Sequence, residues 1–131
     1  IECSDHYARA MASYGTFITA CGFEHHGPKG YLRFAPAWGK EEFKAPFTAA
    51  EGWGTFRQKM GNSGTHCSIT LQYGSLALKT LRLAVAAAKV TVMHNGKQVK
   101  ASLVPSGKDI NVVFSPAVRL REGETLQVQL V

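Results

Sequence analysis

Along residues 5–21 apolar side chains recur at alternating spacings of four and three, so that Tyr7, Met11, Tyr14, Ile18 and Cys21 fall on one face of a helix. Ser4 is placed to cap that helix, Asp5 to meet the positive end of its dipole, and Gly22 to stop it in the left-handed conformation. The opposite face carries Ala8, Ala12, Gly15 and Thr19, small enough for a second backbone to approach closely. A helix with one aromatic face and one small-residue face is suited to insertion between two layers.

From about Tyr31 the period changes to two. Leu81, Leu83 and Val85 alternate with Thr80, Arg82 and Ala84, Ile110, Val112 and Phe114 with Asn111 and Val113, and Leu126, Val128 and Leu130 with Gln127 and Gln129. Val90 to His94, then Asn95-Gly96, then Lys97 to Leu103 predicts a hairpin, because Asn-Gly accepts the positive φ values of a type I′ turn. Further turns at Pro105-Ser106-Gly107 and Glu122-Gly123 complete a series of short strands, which predicts a mainly β chain: an antiparallel, jelly-roll-like β-sandwich over residues 23–131 preceded by one α-helix in residues 1–22. Between Gly22 and Gly64 the pattern is irregular. Ala45 to Ala50 reads poorly as a helix because of Pro46, while Gly54 to Met60 can open the sandwich as a strand.

The chain has 131 residues, 45% of them hydrophobic and 18% charged, enough for one packed domain. The longest run without Lys, Arg, Asp or Glu, Met60 to Leu78, holds Asn62, Ser63, His66, Ser68 and Gln72 and is too polar for a membrane span. The chain begins with Ile1 rather than Met, shows no secretory signal, and reads as cut from something longer. Its formal charge of +6 would favour anionic partners if the basic residues clustered. Arg9, Lys29, Arg33, Lys40, Lys44, Arg57, Lys79, Arg82, Lys97, Lys108 and Arg121 are instead spread along the sequence, with no nucleic-acid recognition motif. Cys3, Cys21 and Cys67 form neither a disulfide framework nor a zinc pattern; thiols left unpaired favour a soluble, cytoplasmic setting.

Candidate chemistry is sparse. His25-His26 beside Glu24 suggests a metal, but adjacent strand side chains point to opposite faces, so no metal site and no cofactor is expected. Glycoside hydrolysis needs two facing carboxyl groups, and Glu2, Asp5, Glu24, Glu41, Glu42 and Glu51 are available in the first half. Glu51, set between alanines and Gly52-Trp53-Gly54, reads first as a turn residue whose carboxylate ties down a backbone amide. Tyr31, Phe34, Trp38, Phe43, Phe47, Trp53 and Phe56 either fill the core, which is the first expectation, or present Trp38 and Trp53 as a platform for sugar rings in a non-catalytic carbohydrate-binding module.

Glu2 to Gly15, Cys21-Gly-Phe-Glu-His-His-Gly-Pro-Lys-Gly30, Phe34-Ala-Pro36 and Phe47-Thr-Ala-Ala-Glu-Gly-Trp-Gly-Thr-Phe56 resemble the C-terminal end of bacterial glycoside hydrolases of family 116, the group that includes the non-lysosomal glucosylceramidases. The resemblance implies that residues 1–21 are a late helix of an α/α-barrel and that the rest is a β-rich extension. It also implies that the catalytic carboxylates of this retaining β-glycosidase type lie in a barrel upstream. Glu2 matches a glutamate that contacts sugar hydroxyls, with Arg9 as the accompanying arginine. Any residual β-glucosidase or β-galactosidase activity would fall to Glu2, Asp5, Glu24 and Glu51. The expected partners are carbohydrate and either the missing barrel or a second copy of the chain, with no nucleic acid.

Overall fold

The computed structural model describes residues 2–131, with side chains from residue 9 onward. Helix α1 spans Glu2–Cys21, three residues longer at its start than the spacing predicts, so Ser4 lies inside the helix. The side chains of Ser4 and Asp5, and with them the predicted capping contacts, fall outside the described residues. The other end is closed as expected. Gly22 takes φ 56°, Phe23 N–H donates to the Ile18 carbonyl and Gly22 N–H to that of Thr19, the paired bonds of a Schellman cap.

Ten strands follow: β1 Glu24–His26, then a single 3-10 turn Gly27–Lys29, β2 Tyr31–Phe34, β3 Glu42–Ala49, β4 Gly52–Gly61, β5 Gly64–Leu83, β6 Val90–His94, β7 Lys97–Val99, β8 Ala101–Ser106, β9 Asp109–Arg121 and β10 Thr125–Leu130. The fold is mainly β and sandwich-like, preceded by one helix. The hairpin at Asn95-Gly96 is present, with both residues at positive φ, but its second arm ends at Val99 rather than Leu103, and Ala101–Ser106 pairs with β9 instead. Ala45 to Ala50 falls largely in a strand: Pro46 lies in β3, which pairs only with β4 among the described residues, so its missing N–H interrupts no central ladder.

Strand β5 belongs to both layers. Its first half pairs with β4 and β10 in a first sheet ordered β3-β4-β5-β10-β6-β7. Its second half pairs with β9 and, in parallel, with β2 in a second sheet ordered β1-β2-β5-β9-β8. The inward-facing residues of β5 reverse phase as the chain passes between sheets. Cys67, Ile69 and Leu71 are buried, then Leu76 and Leu78, then Leu81 and Leu83. The first reversal lies at a register shift against Trp53/Gly54 and at Gly74, the second at a shift between Leu78 and Thr80.

The core lies between the sheets. Phe34 of β2 stacks on Phe56 of β4 with ring centroids 3.9 Å apart and planes at 4°, and Phe47 meets Phe34 edge-on at 5.8 Å. Phe23, just past the helix, packs 5.3 Å from Phe34. Phenylalanines thus fill the core without the indoles. Trp38 and Trp53 stay outside, 69% and 48% exposed, which corrects the core expectation for both.

At the bend, Gly74 has φ 79°, and a Cβ there would strike the Glu51 carbonyl oxygen. Gly107, at φ 63°, faces open space. Gly74→Ala is therefore expected to lower unfolding free energy by about 2–3 kcal/mol, and Gly107→Ala by only about 1 kcal/mol. Urea denaturation of the two variants beside the parent chain measures the difference; equal losses would mean that the bend tolerates a side chain.

Candidate functional site

Alternation along the strands of the first sheet sends every second side chain outward, and the pairing register aligns these side chains in rows across the sheet. One row runs Lys44, Arg57, Ser68, Gln127, Met93, and the next Glu42, Lys59, His66, Gln129, Thr91. They line a shallow groove of about 560 Å³. A neighbouring row is tied by hydroxyl and amide contacts: Thr70 Oγ1 lies 3.0 Å from Thr125 Oγ1, and Gln72 Nε2 donates to Thr55 Oγ1 at 3.0 Å. At the end of the face Trp53 is the register partner of Tyr73, which is 61% exposed.

Basic residues that look scattered in the sequence therefore do gather, at Lys44, Arg57 and Lys59. This corrects the expectation of no clustering. The signal available was the spacing of Arg57 and Lys59 by two within a strand; placing Lys44 beside them needs the β3–β4 register. Alternation alone places Tyr73 in the core-facing phase of Cys67, Ile69 and Leu71, and the extra residue at Gln72 turns it outward. Cys67 faces inward beneath the groove, and burial pushes its thiol up to about 12, leaving it protonated and unreactive at neutral pH.

Of the carboxylates singled out, Glu2 and Asp5 have side chains outside the described residues, and Arg9 is exposed on α1. Glu24, at the edge strand β1, pairs with Arg33 at 3.1 Å and accepts from the Tyr31 hydroxyl at 3.4 Å. Glu51 sits in the β3–β4 turn, where its carbonyl accepts from Ser75 N–H and its Oε2 from Ser75 Oγ at 2.9 Å. The turn reading of Glu51 holds with a different partner: the carboxylate ties down a hydroxyl rather than an amide. Glu24 and Glu51 line different depressions. Trp38 belongs to the loop whose Lys40 carbonyl accepts from Gln58 and whose Glu41 carbonyl accepts from Met60, so this loop is anchored at the opposite end of β4 from Trp53.

The outer face of the second sheet is organised differently. Asp109 Oδ2 accepts from Arg82 at 2.7 Å and Arg33 at 3.0 Å. Burial alone would raise the Asp109 carboxyl, but these two guanidiniums outweigh it and hold it below the usual range. Elsewhere, Glu124 joins the β6–β7 and β9–β10 turns: it accepts from Arg121 N–H at 2.9 Å and Asn95 Nδ2 at 2.7 Å, and its Oε2 lies 2.9 Å from His94 Nε2. No three His, Cys, Asp or Glu side chains gather as metal ligands among the described residues, and no described helix is long and apolar enough to cross a membrane.

No protein-family model matches the chain, and no curated protein matches it in sequence. Two solved structures that match its fold are glycoside hydrolases. Ara127N-Se, a GH127 β-L-arabinofuranosidase from Geobacillus Stearothermophilus T6, aligns with a TM-score of 0.50 at 16% identity, over 98% of this chain and 19% of that one. An α-L-rhamnosidase from Dictyoglumus thermophilum gives 0.43 at 12% identity, over 86% of this chain and 12% of its own. The chain thus shares its fold with a region of the first of these enzymes, and it spans less than a fifth of the length of either.

The Glu124 contacts carry a pH signature. The Arg121 amide first, then Asn95 and His94, hold its carboxyl at about 2, below an ordinary 4.5. A depressed carboxyl stabilises the folded state fully above its unfolded value and loses that contribution as pH falls through the folded one. Stability is expected to decline between about pH 4.5 and 2, and Glu124→Gln to flatten that part of the profile. Thermal melts across the window check this; an unchanged slope in the variant would mean that other carboxylates set it.

Proposed function

We propose that this chain is the C-terminal helix and β-sandwich of a family-116-like glycoside hydrolase, and that its role is to support an α/α-barrel supplied by the rest of such an enzyme. The observation that carries the reading is the state of α1. Its last turn is built into the domain: Cys21 is buried, and the Ala20 and Cys21 carbonyls accept from Ala37 and Ala35 N–H at 2.9 and 3.0 Å. From Arg9 to Thr16, by contrast, every residue on every face is exposed, including Met11 at 56% and Tyr14 at 54%. Such a stripe costs free energy in water unless a partner covers it. The two faces suit insertion between two layers, yet over residues 9–16 neither is buried against the β-domain.

Without a barrel, the same stripe favours self-association of the 131-residue chain. Light scattering at tens of micromolar is expected to give a mass above the monomer, and Met11→Glu with Tyr14→Lys to return it to the monomer. The scaffold role further requires that the purified chain leave nitrophenyl glucosides and galactosides intact. A monomeric parent chain, or hydrolysis abolished by Glu24→Gln or Glu51→Gln, would overturn it.

A second reading is favoured by one observation of its own, the exposure of Trp53 beside Tyr73 at the end of a polar sheet face. An indole and a phenol held outward on paired strands offer apolar faces to sugar rings with hydrogen-bonding side chains next to them, as a carbohydrate-binding surface requires. Trp53→Ala is expected to remove any fluorescence response to added oligosaccharide; a response that survives it would exclude Trp53 as the contact.

A further inference from the structure

We propose that the outer face of the first sheet binds an acidic saccharide, a uronate-bearing chain whose carboxylates meet Lys44, Arg57 and Lys59 while its sugar rings reach Trp53 and Tyr73. The inference rests on the carbohydrate-binding reading for the choice of a sugar chain as the carrier of the charge. The rest comes from the arrangement of the cations.

Lys44 and Arg57 are direct register partners on neighbouring strands, and Lys59 follows Arg57 on the same face. Like charges placed opposite one another on paired strands repel and weaken the sheet. Glu42, opposite Lys59, is the one carboxylate in the groove, and none of the three cations has an ion-pair partner within 4.0 Å among the described residues. The second sheet shows the other solution available to this chain: Arg33 and Arg82 also stand as register partners, but Asp109 binds both. The first sheet has no such acid. An anion arriving from solution would supply the missing counter-charge, and bidentate guanidinium–carboxylate geometry suits Arg57 to a uronate.

The remaining side chains fit a saccharide better than a bare ion. Ser68, Gln127 and Gln129 continue the cation rows with neutral donors and acceptors suited to hydroxyl groups. Trp53 lies four strand residues from Arg57, about 13 Å at the usual rise, a distance that a short oligosaccharide spans and a single anion does not.

The test is calorimetric titration of the intact chain with a galacturonate oligomer, a neutral glucose oligomer of the same length, and a DNA oligonucleotide of matched charge, at low and moderate salt. The galacturonate oligomer is expected to bind at least about tenfold more tightly than either comparator, weakening as salt rises and changing the tryptophan fluorescence. Arg57→Gln and Lys44→Gln are each expected to weaken it by about tenfold without lowering the melting temperature, because each relieves a repulsion. Equal binding of the neutral oligomer would overturn the charge assignment and leave the carbohydrate reading standing. Equal binding of DNA would overturn the saccharide assignment, and absence of binding to all three would overturn both. Loss of binding with a marked fall in melting temperature for both variants would give these cations a structural role instead. None of these outcomes bears on the scaffold reading, which the oligomer mass tests separately.

Discussion

One strand holds this molecule's two sheets together, and the bend in that strand constrains everything around it. β5 runs from Gly64 to Leu83, first in one layer and then in the other, so the sheets cannot slide past each other without breaking its pairing. The bend is buckled from outside by Glu51, which holds Ser75 through both its carbonyl and its carboxylate, and Gly74 leaves no room for a side chain between them. From inside, the Phe34–Phe56 stack joins β2 of one sheet to β4 of the other. Edge-on and stacked ring contacts of this kind contribute about 0.5–1.5 kcal/mol beyond their burial, so the phenylalanine cluster fixes the separation that the bent strand permits.

The same strand explains what the sequence disclosed and what it hid. Where alternation is regular, as in Leu126, Val128 and Leu130, or where a turn has its own chemistry, as at Asn95-Gly96, the element could be read directly. β5 does not read as one strand because its buried positions shift phase twice, at the extra residue Gln72 and again before Thr80; period two holds within Cys67 to Leu71, Leu76 to Leu78 and Leu81 to Leu83, but the three stretches do not join into one count. β3 was hidden by Pro46, whose missing N–H is harmless on an edge but reads as a break in isolation. The core was misjudged for a volumetric reason: Phe34, Phe47 and Phe56, with Phe23 and Phe43 against them, fill it, and the indoles are left outside. Clustering of Lys44 with Arg57 and Lys59 is a property of register between strands, which composition and spacing do not contain.

Helix α1 marks the limit of what this chain stabilises by itself. Residues 17–21 have partners in the β-domain, through Cys21 and the carbonyls that Ala35 and Ala37 satisfy, whereas residues 9–16 have the amphipathic pattern of a packed helix yet are exposed, Tyr14 only bordering a depression beside β3. Propensity and capping alone give only marginal stability to short helical segments in water, so a pattern this regular is best understood as made for burial.

The exposed helix and the cationic sheet face meet at β3. Tyr14 and Phe17 line a small apolar depression with Pro46, Phe47 and Thr48, while Lys44 and Glu42, one and two strand steps further on, line the groove. This edge strand is protected in the manner expected of edges, by a proline, by charges and by an adjoining helix flank, and needs no further strand to complete it. A body docked on α1 would therefore stand beside the open end of the groove rather than over it, because β4, β5 and β10 carry the rest of its lining away from the helix. Support of a barrel and retention of a charged sugar chain are compatible on this geometry, because the depression beside α1 and the groove share no lining residue.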